Sequence, residues 1–429
     1  LKKQLSFYRK KCDKKRAGNS ARFFAMEFIM QNTTEITATA AYKTDAIAHG
    51  IGNSAVSNNW WNRPADERFL SIDEMLAHKQ ADAAGMTDRI VNTHKMKIEG
   101  HIDESNLRHG QIDVTYTDEN GAEHINTPSN WSFNQLSALA GAPAGYLRSL
   151  PAPLAADAMQ WGLTQNRGRE LVKTYSGENS GSQLRAATGP DYGRIYDHEL
   201  LTAIKQFADP ERWKVPGMMM PGGLYDPFVP VSLDTTTLFA SDRDVFVFLV
   251  DDTHPIEIGK LADGSPDLVF RGFYAWNSET GSKTAGLAAM YLRGVCMNRN
   301  LWGVENFQEI KIRHTKFAAD KWSAEAQPAL ESFANGSSQT LLEGVKAAQD
   351  AKVMDDKDSQ LEFLTKRAGL SKRMAGAAIA RHEKEEGRPM RSVWDAAQGI
   401  TAIARDVTHQ DARIEIESKA GALLNKVAA

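Results

Sequence analysis

Five β-rich segments, residues 213–220, 231–239, 245–250, 268–276 and 285–295, follow one another with hardly any helical periodicity between them. Parallel neighbours in a sheet need a crossover of a dozen or more residues, usually a helix, whereas antiparallel neighbours need only a turn. The run therefore predicts a mostly antiparallel sheet. With helical patterns before and after it, the fold class is α+β: an antiparallel sheet core with packed helices, then a long helix and a C-terminal helical unit.

The flanking segments have clearer local signals. Ile112, Val114 and Tyr116 alternate as a strand and run into the turn Asp118-Glu119-Asn120-Gly121. Helices are predicted over 65–77, over 131–139 with Ser129 or Asn130 as cap and Gly141 and Pro143 as stop, and over 151–163. Residues 171–175 and 182–188 read as a hairpin, and 198–207 as a helix. Past Thr315 the period becomes 3.6. Phe317, Trp322, Leu330, Phe333, Leu341, Leu342 and Val345 line one side of a long helix interrupted at Gly336-Ser337-Ser338. Further helices are expected over 360–367, 371–385, 392–404 and 411–427. The organisation is thus a basic extension (1–29), an irregular lead-in (30–65) whose Trp60-Trp61 docks on the core, an α+β core (66–350) and a helical unit (351–429).

A chain of 429 residues, 42% hydrophobic and 24% charged, has the composition of an ordinary globular protein with more than one structural unit. Its net charge of -3 conceals a basic arm containing Lys2, Lys3, Arg9, Lys10, Lys11, Lys14, Lys15, Arg16 and Arg22. Such an arm binds phosphates. The chain begins at Leu1, however, and Met26 and Met30 both suit an initiator, so the arm is expected to be upstream sequence carried along. No apolar run is long enough for a membrane helix and no signal-peptide block is evident, so the expected compartment is the cytoplasm, with no membrane partner. Cys12 and Cys296 match neither a disulfide framework nor a zinc spacing. The sequence contains no GxxxxGK[ST], HExxH, GxSxG or paired CxxC, so no catalytic residue, metal or cofactor is assigned. His101 and His109 lack a helical ligand spacing and read as surface or capping residues.

The densest aromatic and basic stretch runs from Arg271 to Thr315. Strand alternation puts Tyr274 and Trp276 on one face and Arg271, Phe273 and Asn277 on the other. One face is expected to be core. An open second face would set Phe273 or Trp276 beside a guanidinium as a stacking platform for unpaired bases. The alternative buries both faces between sheet and helices. After the turn Glu279-Thr280-Gly281-Ser282, a hairpin is expected to gather Arg271, Lys283, Arg293 and Arg299, with Arg313 and His314 joining them. These cations need phosphates, or carboxylates such as Asp251, Asp252 and Glu279.

Four dispersed segments complete the pattern: Ser182-Gln183-Leu184-Arg185 with Asp191-Tyr192-Gly193-Arg194-Ile195, Arg271 to Glu279, Val295-Cys296-Met297-Asn298, and Ile312-Arg313-His314-Thr315. In this order they resemble the phage and plasmid family known as domain of unknown function 932, over roughly residues 66 to 345. Arg299 after Asn298 departs from the commoner threonine. The resemblance implies carriage on a mobile element and supplies no activity.

Nucleic-acid binding is the leading expectation, with single-stranded DNA as partner and annealing or recombination as the setting. Arg271, Lys283, Arg293, Arg299 and Arg313 would neutralise phosphates beside His314, while Phe273 or Trp276 stacks bases. Self-association is left open. A Mg²⁺-dependent nuclease is the second reading, since Pro266-Asp267 and Glu309-Ile310-Lys311 have the residue types of a PD…ExK site. The third is a scaffold or inhibitor acting on host proteins. It draws on Leu364 to Arg373, where a helix, a glycine turn and a Ser-capped helix form either an interaction module or a helix-turn-helix exposing Lys372, Arg373 and Arg381.

Overall fold

The computed structural model describes residues 63–102, 110–177, 181–215, 231–233, 236–261, 264–293, 299–300, 309–352, 356–407 and 410–428. The readings of the basic arm, of Trp60-Trp61 and of Cys296 to Asn298 lie outside them. The fold is α+β.

The strands fall into two sheets. The smaller contains β2 (Met86–Asn92), β3 (Lys97–Ile102), β4 (Gly110–Thr117), β5 (Glu123–Pro128), β6 (Arg169–Tyr175) and β7 (Gln183–Thr188), in the order β2-β6-β7-β5-β4-β3. The larger contains β1 (Arg68–Phe69), β8 (Trp213–Lys214), β9 (Leu238–Ala240), β10 (Val245–Lys260), β11 (Pro266–Asn277), β12 (Ala285–Arg293), β13 (Arg299–Asn300) and β14 (Glu309–Ile312). Its spine is β1-β9-β10-β11-β12-β13, with β8 beside β10 and β14 beside β12. The β5–β7 pair is parallel, and the other described pairs are antiparallel, as the short connections require.

The first helix, α1 (Ile72–Ala84), starts and ends seven residues later than expected. Ser71 caps the helix by accepting the Glu74 amide at 3.1 Å, and Glu74 accepts the Leu70 amide just before it at 3.0 Å, so the start is fixed there. Arg68 and Phe69 pair with β9 instead. Next come α2 (Asn130–Leu139), a single unexpected turn α3 (Ala144–Leu147), α4 (Ala152–Gln165) and α5 (Asp197–Phe207), the three longer ones close to their expected places. The predicted long helix is divided into α6 (Ala318–Lys321), a π-helical turn (Trp322–Ala326), α7 (Gln327–Asn335) and α8 (Gln339–Asp350). Pro328 accounts for the π turn, because it lacks an N–H and its ring crowds the carbonyl four residues back. The C-terminal helices are α9 (Lys357–Arg367), α10 (Lys372–Glu386), α11 (Val393–Ala404) and α12 (Gln410–Ala428).

One apolar cluster runs from the larger sheet through α5, α7 and α8 into α9 to α12, so the C-terminal helices share a core with the sheet. A second fills the face of the smaller sheet covered by α2 and α4. A third, containing Phe239, Phe246, Phe248, Phe270, Tyr274 and Trp276, lies on the opposite face of the larger sheet.

The described N-terminal segment is fastened by charge. Two carboxylates compete for the buried Arg63 guanidinium: Asp244 takes it with two hydrogen bonds, of 2.9 and 3.3 Å, and Glu67 is left at 3.5 Å. Burial raises the pKa of Asp244, but Arg63 and Lys283 outweigh it and hold the group well below the carboxylate range. In Glu67 burial wins over Arg63, and its pKa is pushed up to about 7. The folded chain therefore holds this proton more tightly than the unfolded chain, and stability is lost as pH rises from the ordinary 4.5 through about 7. Glu67→Gln is expected to remove that loss and to exceed the native chain in stability near pH 8 by on the order of 2–3 kcal/mol. Urea unfolding of both proteins near pH 5 and near pH 8 checks this; parallel pH dependence in the two would contradict it.

Candidate nucleic-acid interface and the buried joint behind it

The turn after β11 is where the two sheets meet. Asn277, Ser278, Glu279 and Thr280 are buried. They are gripped from both sides. From the smaller sheet, Lys173 on β6 reaches Glu279 Oε2 at 2.7 Å. From α2, Trp131 Nε1 and Gln135 Nε2 donate to the Thr280 carbonyl at 3.0 and 2.8 Å. From the segment before α5, Arg194 donates to the Glu279 carbonyl and, at 3.1 Å, to Asp88 on β2. The Asp197 amide donates to Glu279 Oε1 at 2.7 Å, and Asn277 Nδ2 donates to Asp197 Oδ1 at 2.8 Å. Lys79 of α1 completes the set, 3.1 Å from Asp197 Oδ2 and donating to the Ser241 carbonyl.

Lys79, Lys173 and Arg194 thus face Asp88, Asp197 and Glu279, cation for carboxylate. The joint is neutral within itself, so its charges do not call for a bound phosphate. Burial pushes Asp197 up to about 6, against Lys79. Burial acts on Glu279 in the same direction, but Lys173 and Lys79 outweigh it and hold it below its ordinary value. An ion pair so placed contributes little net stability while costing much if one partner is removed.

His314 and Thr315 close the joint on its outer side. The His314 ring stacks on Tyr192 with centroids 4.7 Å apart, and its Nδ1–H donates to the Gly193 carbonyl at 3.1 Å. Tyr192 donates to the Ser278 carbonyl at 2.8 Å. Gly193 is required by proximity: a Cβ there would lie 2.0 Å from the Thr315 carbonyl oxygen. Burial lowers the His314 pKa, which favours the neutral ring. Arg185 sits in a bulge of β7, its guanidinium over the Tyr175 ring at 4.5 Å and its Nη1 3.9 Å from Asp82. The dispersed sequence segments around Arg185, Tyr192, Glu279 and His314 therefore converge on one joint.

The hairpin does not gather the expected cations. Arg293 pairs with Val269 at one end of β12, while Lys283 precedes Ala285 at the other, roughly 30 Å away for a strand of this length. Arg299 pairs with Leu292, and Ile312, next to Arg313, pairs with Ala285. The intervening positions separate Arg299 from Arg313 by about 23 Å.

Most of the expected platform is internal. Phe273 is fully buried against Trp213 and Phe207, and Trp276 is buried and stacked on Tyr274 at 5.4 Å. Both faces of β11 are core, so these rings cannot receive bases in the folded chain. Arg271 donates to the Gly336 carbonyl at 2.8 Å. Arg293 binds Asp267 and Glu386, and Lys283 lies 3.1 Å from Asp244. Carboxylates and carbonyls, not phosphates, occupy these cations.

Asp267 is held by Arg293, and Glu309 pairs with Ala288, which pairs with Tyr274, about 23 Å along β11 from Asp267. The PD…ExK set is not assembled. Among the described residues no group of three or more His, Cys, Asp or Glu is placed to hold a metal ion, and no helix is long and apolar enough to cross a membrane. In the C-terminal pair, Lys372 and Arg373 are exposed, whereas Arg381 is tied to Asp406 and Glu385.

One short strip carries four exposed basic residues within eleven positions. Lys311, Arg313, Lys316 and Lys321 are exposed, with Asp320 the only carboxylate between Lys311 and Lys321. Phe317 is 60% exposed, with Lys316 Nζ 6.0 Å from its ring centroid. The strip is anchored at Ile312 and Ala318, both buried, and at His314 on the joint. Arg313 and His314 were singled out from sequence, while Lys316, Phe317 and Lys321 were missed because Phe317 fits the helical core pattern. Comparison with protein-family models, curated proteins and solved structures finds no match in any of the three.

Glu279→Ala is expected to destabilise the chain by about 3–5 kcal/mol, because it leaves Lys173 buried without its partner. Adding Lys173→Met should restore part of that loss. Urea unfolding of the single and double variants decides it, and a double variant no more stable than Glu279→Ala would contradict the joint's assignment.

Proposed function

We propose that this chain binds nucleic acid, in the setting of a phage or plasmid, through the strip from Lys311 to Lys321. The observation that carries the reading is the exposure of Arg313, Lys316 and Lys321 on a backbone anchored at Ile312 and Ala318, with one carboxylate among them. A strand of phosphates laid along such a strip releases its condensed counterions, and this drives association without any base being read. The resemblance of the dispersed motifs to a phage and plasmid family supplies the setting, and an intracellular site of action goes with it.

The test is titration of a labelled oligonucleotide at several salt concentrations. Log affinity is expected to fall linearly with log salt, and Arg313→Ala with Lys316→Ala to flatten the slope by about 1–2 through the loss of two phosphate contacts. Absence of binding at low salt, or an unchanged slope in the double variant, would overturn the proposal.

A scaffold role is favoured by a separate observation. Trp161 is 73% exposed and Leu154 53%, seven residues apart and so on one side of α4. A large exposed aromatic suits a protein partner. On this reading Trp161→Ser abolishes retention of a host protein in a pull-down and leaves oligonucleotide binding intact; retention unchanged by the substitution would count against it.

A further inference from the structure

We infer that Phe317 is a base-stacking residue and that the strip is built for unpaired strands, an inference that rests on the nucleic-acid reading of the same surface. An isolated exposed phenylalanine is ordinary. Two features set this one apart.

Its backbone is fixed. Ile312 on one side and Ala318 on the other are buried, the Ala318 amide donates to the Thr315 carbonyl at 2.8 Å, and Thr315 is packed on Gly193. The ring is thus presented to solvent from an anchored turn, and little chain entropy remains to be lost when a ligand covers it.

Its neighbours are cations. Lys316 reaches over the ring, and Arg313 and Lys321 flank it in sequence. Phosphates on these cations bring the attached bases within reach of the ring. In a duplex the base faces are covered by their neighbours, so only an unpaired base can lay its face on Phe317. The chemistry that fits is therefore a single-stranded polynucleotide, with the base identity unread, since every base has a π-face.

The experiment compares an oligothymidylate with an abasic deoxyribose-phosphate strand of the same length, using the full chain, Phe317→Ala and Phe317→Trp. The exposed position makes loss of folding no concern, and equal unfolding curves verify that. The native chain is expected to bind oligothymidylate roughly ten- to a hundredfold more tightly than the abasic strand. Phe317→Ala should erase that preference while leaving abasic binding unchanged, and Phe317→Trp should keep it. Equal binding of both strands by the native chain, or a preference that survives Phe317→Ala, overturns the stacking role and leaves phosphate binding standing. Failure to bind either strand at low salt overturns both.

Discussion

A lysine and a glutamate removed from water, Lys173 and Glu279, lie 2.7 Å apart where the two sheets meet, and the positions of the other elements follow from that pair. Neither charge tolerates burial alone. Glu279 must therefore be delivered to β6, which fixes the end of β11; its second oxygen takes the first amide of α5, which fixes that helix; and its carbonyl takes Arg194, which draws in β2 through Asp88. The turn between β11 and β12 ends up enclosed between the two sheets.

That placement decides the fate of the hairpin. With its turn enclosed, β11 has helices and strand packing on one face and the Phe246, Tyr274 and Trp276 cluster on the other. Arg271, Lys283 and Arg293 are drawn inward and held by a carbonyl or by carboxylates. Surface chemistry passes to the segment that crosses the outside of the joint, where His314 turns inward between exposed Arg313 and exposed Thr315 and Lys316.

The fold class and most elements were legible, since strand alternation, the Ser129 and Ser371 caps and the glycine turns are local signals that the final packing left intact. The division of Arg271, Phe273 and Asn277 from Tyr274 and Trp276 was also legible from the two-residue period. Whether either face meets water was not, because burial is a property of what packs above a strand, and those partners come from distant sequence. The same holds for the joint. Lys79 and Lys173 look like ordinary exposed lysines within a helix and a strand, and their carboxylate partners lie 118 and 106 positions away in the chain. A lysine between Val172 and Thr174 in a short strand was the one local hint. The start of α1 lies later than expected because Ser71 caps the helix and the preceding Arg68 and Phe69 pair with β9, a partner distant in sequence.

Photo-crosslinking to a single-stranded oligonucleotide bearing bromouracil tests the surface directly. Trypsin cuts the strip after Lys316 and Lys321, releasing Phe317 to Lys321, and cuts the hairpin after Arg271 and Lys283, releasing Gly272 to Lys283. The crosslinked nucleotide is expected on the peptide containing Phe317, with the hairpin peptide unmodified. Crosslinks on the peptide that contains Phe273 and Trp276, with none at Phe317, would contradict the buried hairpin and return the binding surface to it.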